Sequence, residues 1–138
     1  MTSSTAVALA PRASVDPVEL RRVADRFIAA CSSGNMRDLL AVLDPAVVGW
    51  ADLGGMRTQL PQRAEGAAAV ARGVMAVFGP RAATRLLVAE VNGETGVLVA
   101  LRGRPYAVLV LQVRGDRVAA ICAVADPAKL RRVSVPLD

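Results

Sequence analysis

The turns in the second half of the chain constrain its fold more than any other feature. Four runs rich in β-branched and aliphatic residues, Thr84–Val91, Val97–Arg102, Tyr106–Arg114 and Arg117–Ala125, are punctuated by Asn92-Gly93-Glu94, Gly103-Arg104 and Arg114-Gly115-Asp116. Connections that short lay a strand back beside its predecessor, whereas a parallel neighbour needs a crossover of a dozen or more residues. The spacing therefore predicts an antiparallel meander. The first half has a different texture. Asp16-Pro17 supplies a cap and a first-turn proline, and Val18, Leu20, Val23, Phe27 and Ile28 follow at helical spacing until Ser32-Ser33-Gly34-Asn35 stops them. Met36, Leu39, Leu40 and Leu43 predict a second, shorter helix that Asp44-Pro45 ends. Ala46–Ala51 reads as a strand, and a third helix from about Glu65-Gly66 carries Val70, Val74, Val77 and Phe78 up to Gly79-Pro80.

Helices first and a curling sheet afterwards define an α+β architecture, in which three N-terminal helices cover one face of a bent sheet. Such a cone has a hollow mouth, and ligands favour hollow mouths. A length of 138 residues suits one domain, expected over 16–133 between a leader at 1–15 and a tail at 134–138. The core draws on Ala, Val and Leu, with aromatics at only 3%, so small side chains leave room for a cavity.

The same composition removes several functions. Histidine is absent, which takes away the commonest general base, the commonest zinc ligand and every His-dependent triad. Asp16, Glu19, Asp25 and Asp38 lack metal-ligand spacing, so neither a metal nor another cofactor is expected. The net charge is +5, yet the arginines are scattered and carry no interleaved aromatics, which argues against nucleic acid as a partner. No run is long enough to span a membrane, and the two cysteines form no CxxC; the chain reads as cytoplasmic with reduced thiols.

One short stretch concentrates the chemistry that remains. Val48-Gly49-Trp50-Ala51-Asp52-Leu53-Gly54-Gly55-Met56 places the only tryptophan, a carboxylate and a methionine around one glycine-rich bend. A carboxylate in an apolar mouth is held partly protonated by desolvation, which suits Asp52 to proton transfer; the competing reading is a turn aspartate accepting backbone N–H bonds. Tyr106, which alternation puts on the face of Val108, Val110 and Gln112, could donate its hydroxyl to a substrate oxygen or could cover the sheet as a rim aromatic. Glu90 is either a second pocket carboxylate or a solvated hairpin residue. Cys122, mid-strand, is chiefly a small hydrophobe. Trp50, Met56, Phe78 and Phe27 complete the expected pocket wall, with Glu90 and Cys122 beside them.

At these residues the chain resembles a known family. The segments VADRFIAACSSGNMRDLLAVLDPAVVGWADLGG, VARGVMAVFG, VNGETGVL and VRGDRVAAICAVADPAKLRRV are similar to the SnoaL-like branch of the nuclear-transport-factor-two-like superfamily. The match is nearest to the C-terminal domain of extracytoplasmic-function sigma factors. Asp52-Leu53-Gly54-Gly55-Met56 stands where that group has a DGGGK-like motif, and Asp126-Pro127-Ala128-Lys129-Leu130 where it has an NPDKL-like motif opening the last helix. Leu53 replaces a glycine, Met56 replaces the lysine, and Cys122 stands where relatives often carry an aromatic.

The resemblance implies the cone-shaped, cystatin-like α+β barrel. It also implies two kinds of work for a copy expected to lack the sigma factor's promoter- and polymerase-binding domains. One is a cofactor-independent cyclase, isomerase or epoxide hydrolase acting on an apolar polyketide- or terpenoid-like intermediate, with Asp52 and Tyr106 as catalytic residues; this reading is preferred by a narrow margin. The other is a non-catalytic ligand-sensing or regulatory module. Either would bind an apolar small molecule, and either could dimerise through its sheet.

Overall fold

Helix α1 (Pro17–Ser33) forms where the caps and the periodicity agree. Asp16 accepts a hydrogen bond from the Val18 N–H at 2.9 Å, and Pro17 occupies the first turn, where no donor is missed. At the other end Gly34 adopts φ 73°, and the N–H groups of Gly34 and Asn35 bond back to Cys31 and Ala30. That left-handed closure favours glycine, and a Cβ there would also lie 3.0 Å from the Pro80 ring. The computed structural model describes residues 16–52, 63–80, 84–91, 94–124 and 133–134, with only the backbone for Asp52, Val91, Glu94, Val133 and Ser134.

Helix α2 (Met36–Val42) is capped by the Asn35 side chain, which accepts from the Asp38 N–H at 3.0 Å. It stops two residues before Asp44-Pro45. Those two residues instead follow Leu43 into strand β1 (Leu43–Asp52), with the Asp44 carboxylate accepting from the Ala46 N–H at 2.8 Å. The side-chain bond and the proline disturb the ladder there, and the pairing register shifts between Leu43 and Val48. Strand β2 (Arg63–Glu65) and helix α3 (Ala67–Phe78) follow. The rest is sheet: β3 (Thr84–Val91), β4 (Glu94–Leu101), β5 (Arg104–Arg114), β6 (Arg117–Val124) and β7 (Val133–Ser134).

The sheet is open and mixed, in the order β2-β1-β6-β5-β4-β3-β7. Strands β3 to β6 form the expected meander, while β1 lies parallel to β6. The long connection from β1 to β6, which holds β2, helix α3 and the first three strands of the meander, allows that parallel contact, which no hairpin could make. Two of the turns declare themselves in backbone angles. Arg102 and Gly103, both at positive φ, make a two-residue loop of the I′ kind. Gly115 alone is positive in the β5–β6 turn, the II′ pattern. The Asn92-Gly93 turn and the Asp126–Leu130 segment lie outside the described residues.

The main core sits between the helices and one face of the sheet. Val23, Phe27, Cys31, Leu39, Val42 and Leu43 meet Val97, Val99, Leu109, Leu111 and Val118, all essentially inaccessible. Burying a side chain of that size contributes roughly 1.5–3 kcal/mol. The opposite face is apolar too: Ala89, Leu98 and Val108 cluster there with Val110 against them. Strand β6 is therefore buried on both faces from Ala120 to Val124, which explains its unbroken apolar run.

Candidate functional site: an apolar hollow beneath helix α3

Helix α3 crosses β1 where the side chains are smallest. Gly49 and Ala51 of β1, Ala64 of β2, and Ala69 and Gly73 one turn apart on α3 cannot fill the space between them. Val70, Val74, Phe78, Leu109, Ile121 and Ala123 close the sides, leaving a hollow of about 50 Å³. A methyl group at Gly49 would sit 3.6 Å from Val70, so the glycine leaves room and is not itself demanded by crowding. Drug-sized ligands occupy some 300–1,000 Å³, so this space suits a group of a few heavy atoms.

Among the described residues, the wall carries no charged or hydroxyl-bearing side chain. Its one side-chain polar atom is the Trp50 indole nitrogen, which is buried and has no hydrogen-bond partner among the described residues. Trp50 pairs in register with Cys122 on one side and Arg63 on the other. Ile121 and Ala123, the neighbours of Cys122, belong to the helix-facing core, so Trp50 shares its strand position with the opposite face while still bordering the hollow.

Of the residues singled out in the sequence, Trp50 and Phe78 border this hollow. Asp52 ends β1 opposite Val124 and directly follows the wall residue Ala51; its side chain lies outside the described residues, as does the whole of Met56. Phe27 is fully buried in the core under α1, away from the hollow. Tyr106 is half-buried and packs against the helix-facing core, not beside Val108 and Val110 as simple alternation predicts. The pairing passes from Val99–Ala107 to Ala100–Pro105, which leaves Tyr106 as an extra, bulged residue of β5 and breaks the alternation at that point. Glu90 is exposed and pairs with Thr95 and Ser134 near the end of β3, at the opposite end of the sheet from Asp52. Cys122 is buried mid-strand opposite Trp50 and Val110. Burial pushes the Cys31 thiol up to about 12, so it stays neutral at ordinary pH and is no nucleophile.

The reading of the sequence passed over Ala69 and Gly73. Two small residues at i and i+4 on one helix, facing a glycine in a strand, were the available signal. Among the described residues no cluster of His, Cys, Asp and Glu could hold a metal. None of the described helices is long and apolar enough to cross a membrane.

Comparison with known proteins gives a consistent picture. No protein-family model matches the chain. A curated relative, "Probable ECF RNA polymerase sigma factor SigI" of Mycobacterium tuberculosis, is 31% identical over 129 residues, which cover 86% of this chain and 39% of that protein. The crystal structure of the M. tuberculosis extracytoplasmic-function sigma factor SigJ superposes with a TM-score of 0.62 at 29% identity, covering 83% of this chain and 44% of SigJ. A nuclear-transport-factor-two-like protein of unknown function from Burkholderia xenovorans LB400 superposes at 0.55 with 16% identity, over 88% of this chain and 87% of its own. The chain thus spans less than half the length of either sigma factor.

Proposed function

We propose that this chain, which belongs to the SnoaL-like branch of the nuclear-transport-factor-two-like superfamily and is related to the C-terminal region of extracytoplasmic-function sigma factors, serves as a non-catalytic regulatory module that senses a small apolar group. One observation carries this reading: among the described residues, the hollow under α3 is walled without a single charged or hydroxyl side chain. A site built for proton transfer needs a general acid or base within hydrogen-bond reach of the reacting atom. A site built for recognition by size needs only shape and dryness. Occupancy of the hollow would brace α3 against β1 and so bias whatever contacts the exposed side of that helix makes. Pairing of two copies through the sheet remains part of the proposal, and sedimentation equilibrium measures it.

A second reading has one observation in its favour. Asp52 follows the wall residue Ala51, so a carboxylate at the rim of the same hollow would make the protein a cofactor-independent isomerase, cyclase or hydrolase. The two readings separate by extraction. Apolar compounds that copurify with the protein are identified by mass spectrometry, then incubated with wild type, Gly73→Leu and Asp52→Asn. The regulatory reading expects retention by Asp52→Asn, loss from Gly73→Leu and no chemical change. Conversion by wild type that Asp52→Asn abolishes would replace it with the enzyme.

A further inference from the structure

The lining of the hollow has a direction. Ala51, Ala64, Ala69 and Gly73 are half-buried, whereas Val74, Phe78, Leu109 and Ile121 are buried. The half-buried end lies by the edge strand β2, and the buried end reaches β5, further into the sheet. On α3 the same path runs from Ala69 to Phe78, about 13 Å at the ordinary helical rise. A lining that long around only about 50 Å³ encloses a narrow space. A cavity that accepts benzene is compact and holds roughly 150 Å³.

Two glycines fix the inner end. A Cβ at Gly79 would overlap the Met75 carbonyl oxygen, which accepts the Gly79 N–H at 3.1 Å as α3 ends. One residue on, the Pro80 ring lies against Gly34, in the turn between α1 and α2. The helix end that carries Phe78 is thereby pinned to its neighbours, and the ring is a fixed stop rather than a swinging gate.

We propose that the hollow takes the end of an unbranched aliphatic chain, entering past Ala64 and Ala69, and that Phe78 sets how many carbons it accepts. This rests on the hollow being the ligand site of the proposed function, and adds the class of ligand and the residue that measures it. A chain end asks for no hydrogen bond, which matches the apolar wall, and a ring is too wide for so narrow a space. The polar remainder of the ligand stays outside the mouth, in water.

The test is a titration of methyl-labelled protein with primary alcohols from ethanol to octanol, and with benzyl alcohol, followed by NMR at Val70, Val74, Leu109 and Ile121. In the wild type, affinity rises about fourfold with each carbon that enters, then levels off once the chain reaches Phe78. Benzyl alcohol binds no more tightly than ethanol. Phe78→Ala moves the plateau to longer alcohols and admits benzyl alcohol. Phe78→Leu, which keeps a large aliphatic side chain should the alanine variant fail to fold, moves the plateau the same way by fewer carbons. A plateau unmoved in the folded variants, or benzyl alcohol held by the wild type as tightly as the longest alcohol, would overturn the proposal and leave the hollow a ligand site. No response of those methyl groups to any alcohol would overturn it together with the reading it rests on.

Discussion

The two ends of the helical layer meet the same sheet and pack against it differently. Under α1 the side chains are large: Phe27 is sealed with Leu39, Leu43, Val97 and Val99. Under α3 the facing residues are Gly49, Ala51, Ala64, Ala69 and Gly73, and a hollow remains. Both regions are apolar, so polarity does not distinguish the framework from the site. Side-chain volume does, because a densely packed interior closes over any space that neighbours are large enough to fill.

This contrast can be broken by mutation, starting where the effect is greatest. Phe27→Ala removes a ring with no free space beside it and should cost about 3–5 kcal/mol in chemical denaturation. Phe78→Ala, whose ring already borders space, should cost less and enlarge the hollow, so the two losses compared in urea measure the difference in packing directly. A loss at position 78 equal to that at position 27 would erase the contrast.

A smaller effect comes from pH. Burial on folding pushes the Cys31 thiol up from its ordinary 9.0 to about 12. The unfolded chain therefore releases that proton first, and its contribution to stability, full below about pH 9, is lost as pH rises toward 12. Cys31→Ala should flatten that alkaline slope in a denaturation series. Smallest is Gly73→Ala, which improves helix propensity and trims the hollow, stabilising α3 by about 0.5–1 kcal/mol if the methyl group enters empty space. A destabilisation would mean that α3 lies closer to the sheet than described.

Much of the framework was legible in the sequence, because it depends on local signals. Pro17 and Gly34 bracket α1, and Gly103 and Gly115 mark turns that only a few residue types enter readily. Strand β3 matches its predicted span, while β2 and β7, two or three residues long, carry no periodicity to detect. Parallel pairing of β1 with β6 is a tertiary choice that no local pattern encodes. The site was only partly legible. Trp50 and Phe78 stood out for their size, whereas the residues that create the space are conspicuous only by what they lack. Tyr106 shows the limit of strand alternation, since a one-residue bulge in its own strand turned it to the helix-facing core.

Xenon tests the central claim most directly, because it occupies dry apolar cavities and has no use for hydrogen bonds. Crystals pressurised with the gas should show a single xenon site among the described elements, between Gly73 of α3 and Gly49 of β1, and none beside Phe27. Ordered water hydrogen-bonded in that hollow, or xenon lodged beneath α1 instead, would contradict the account.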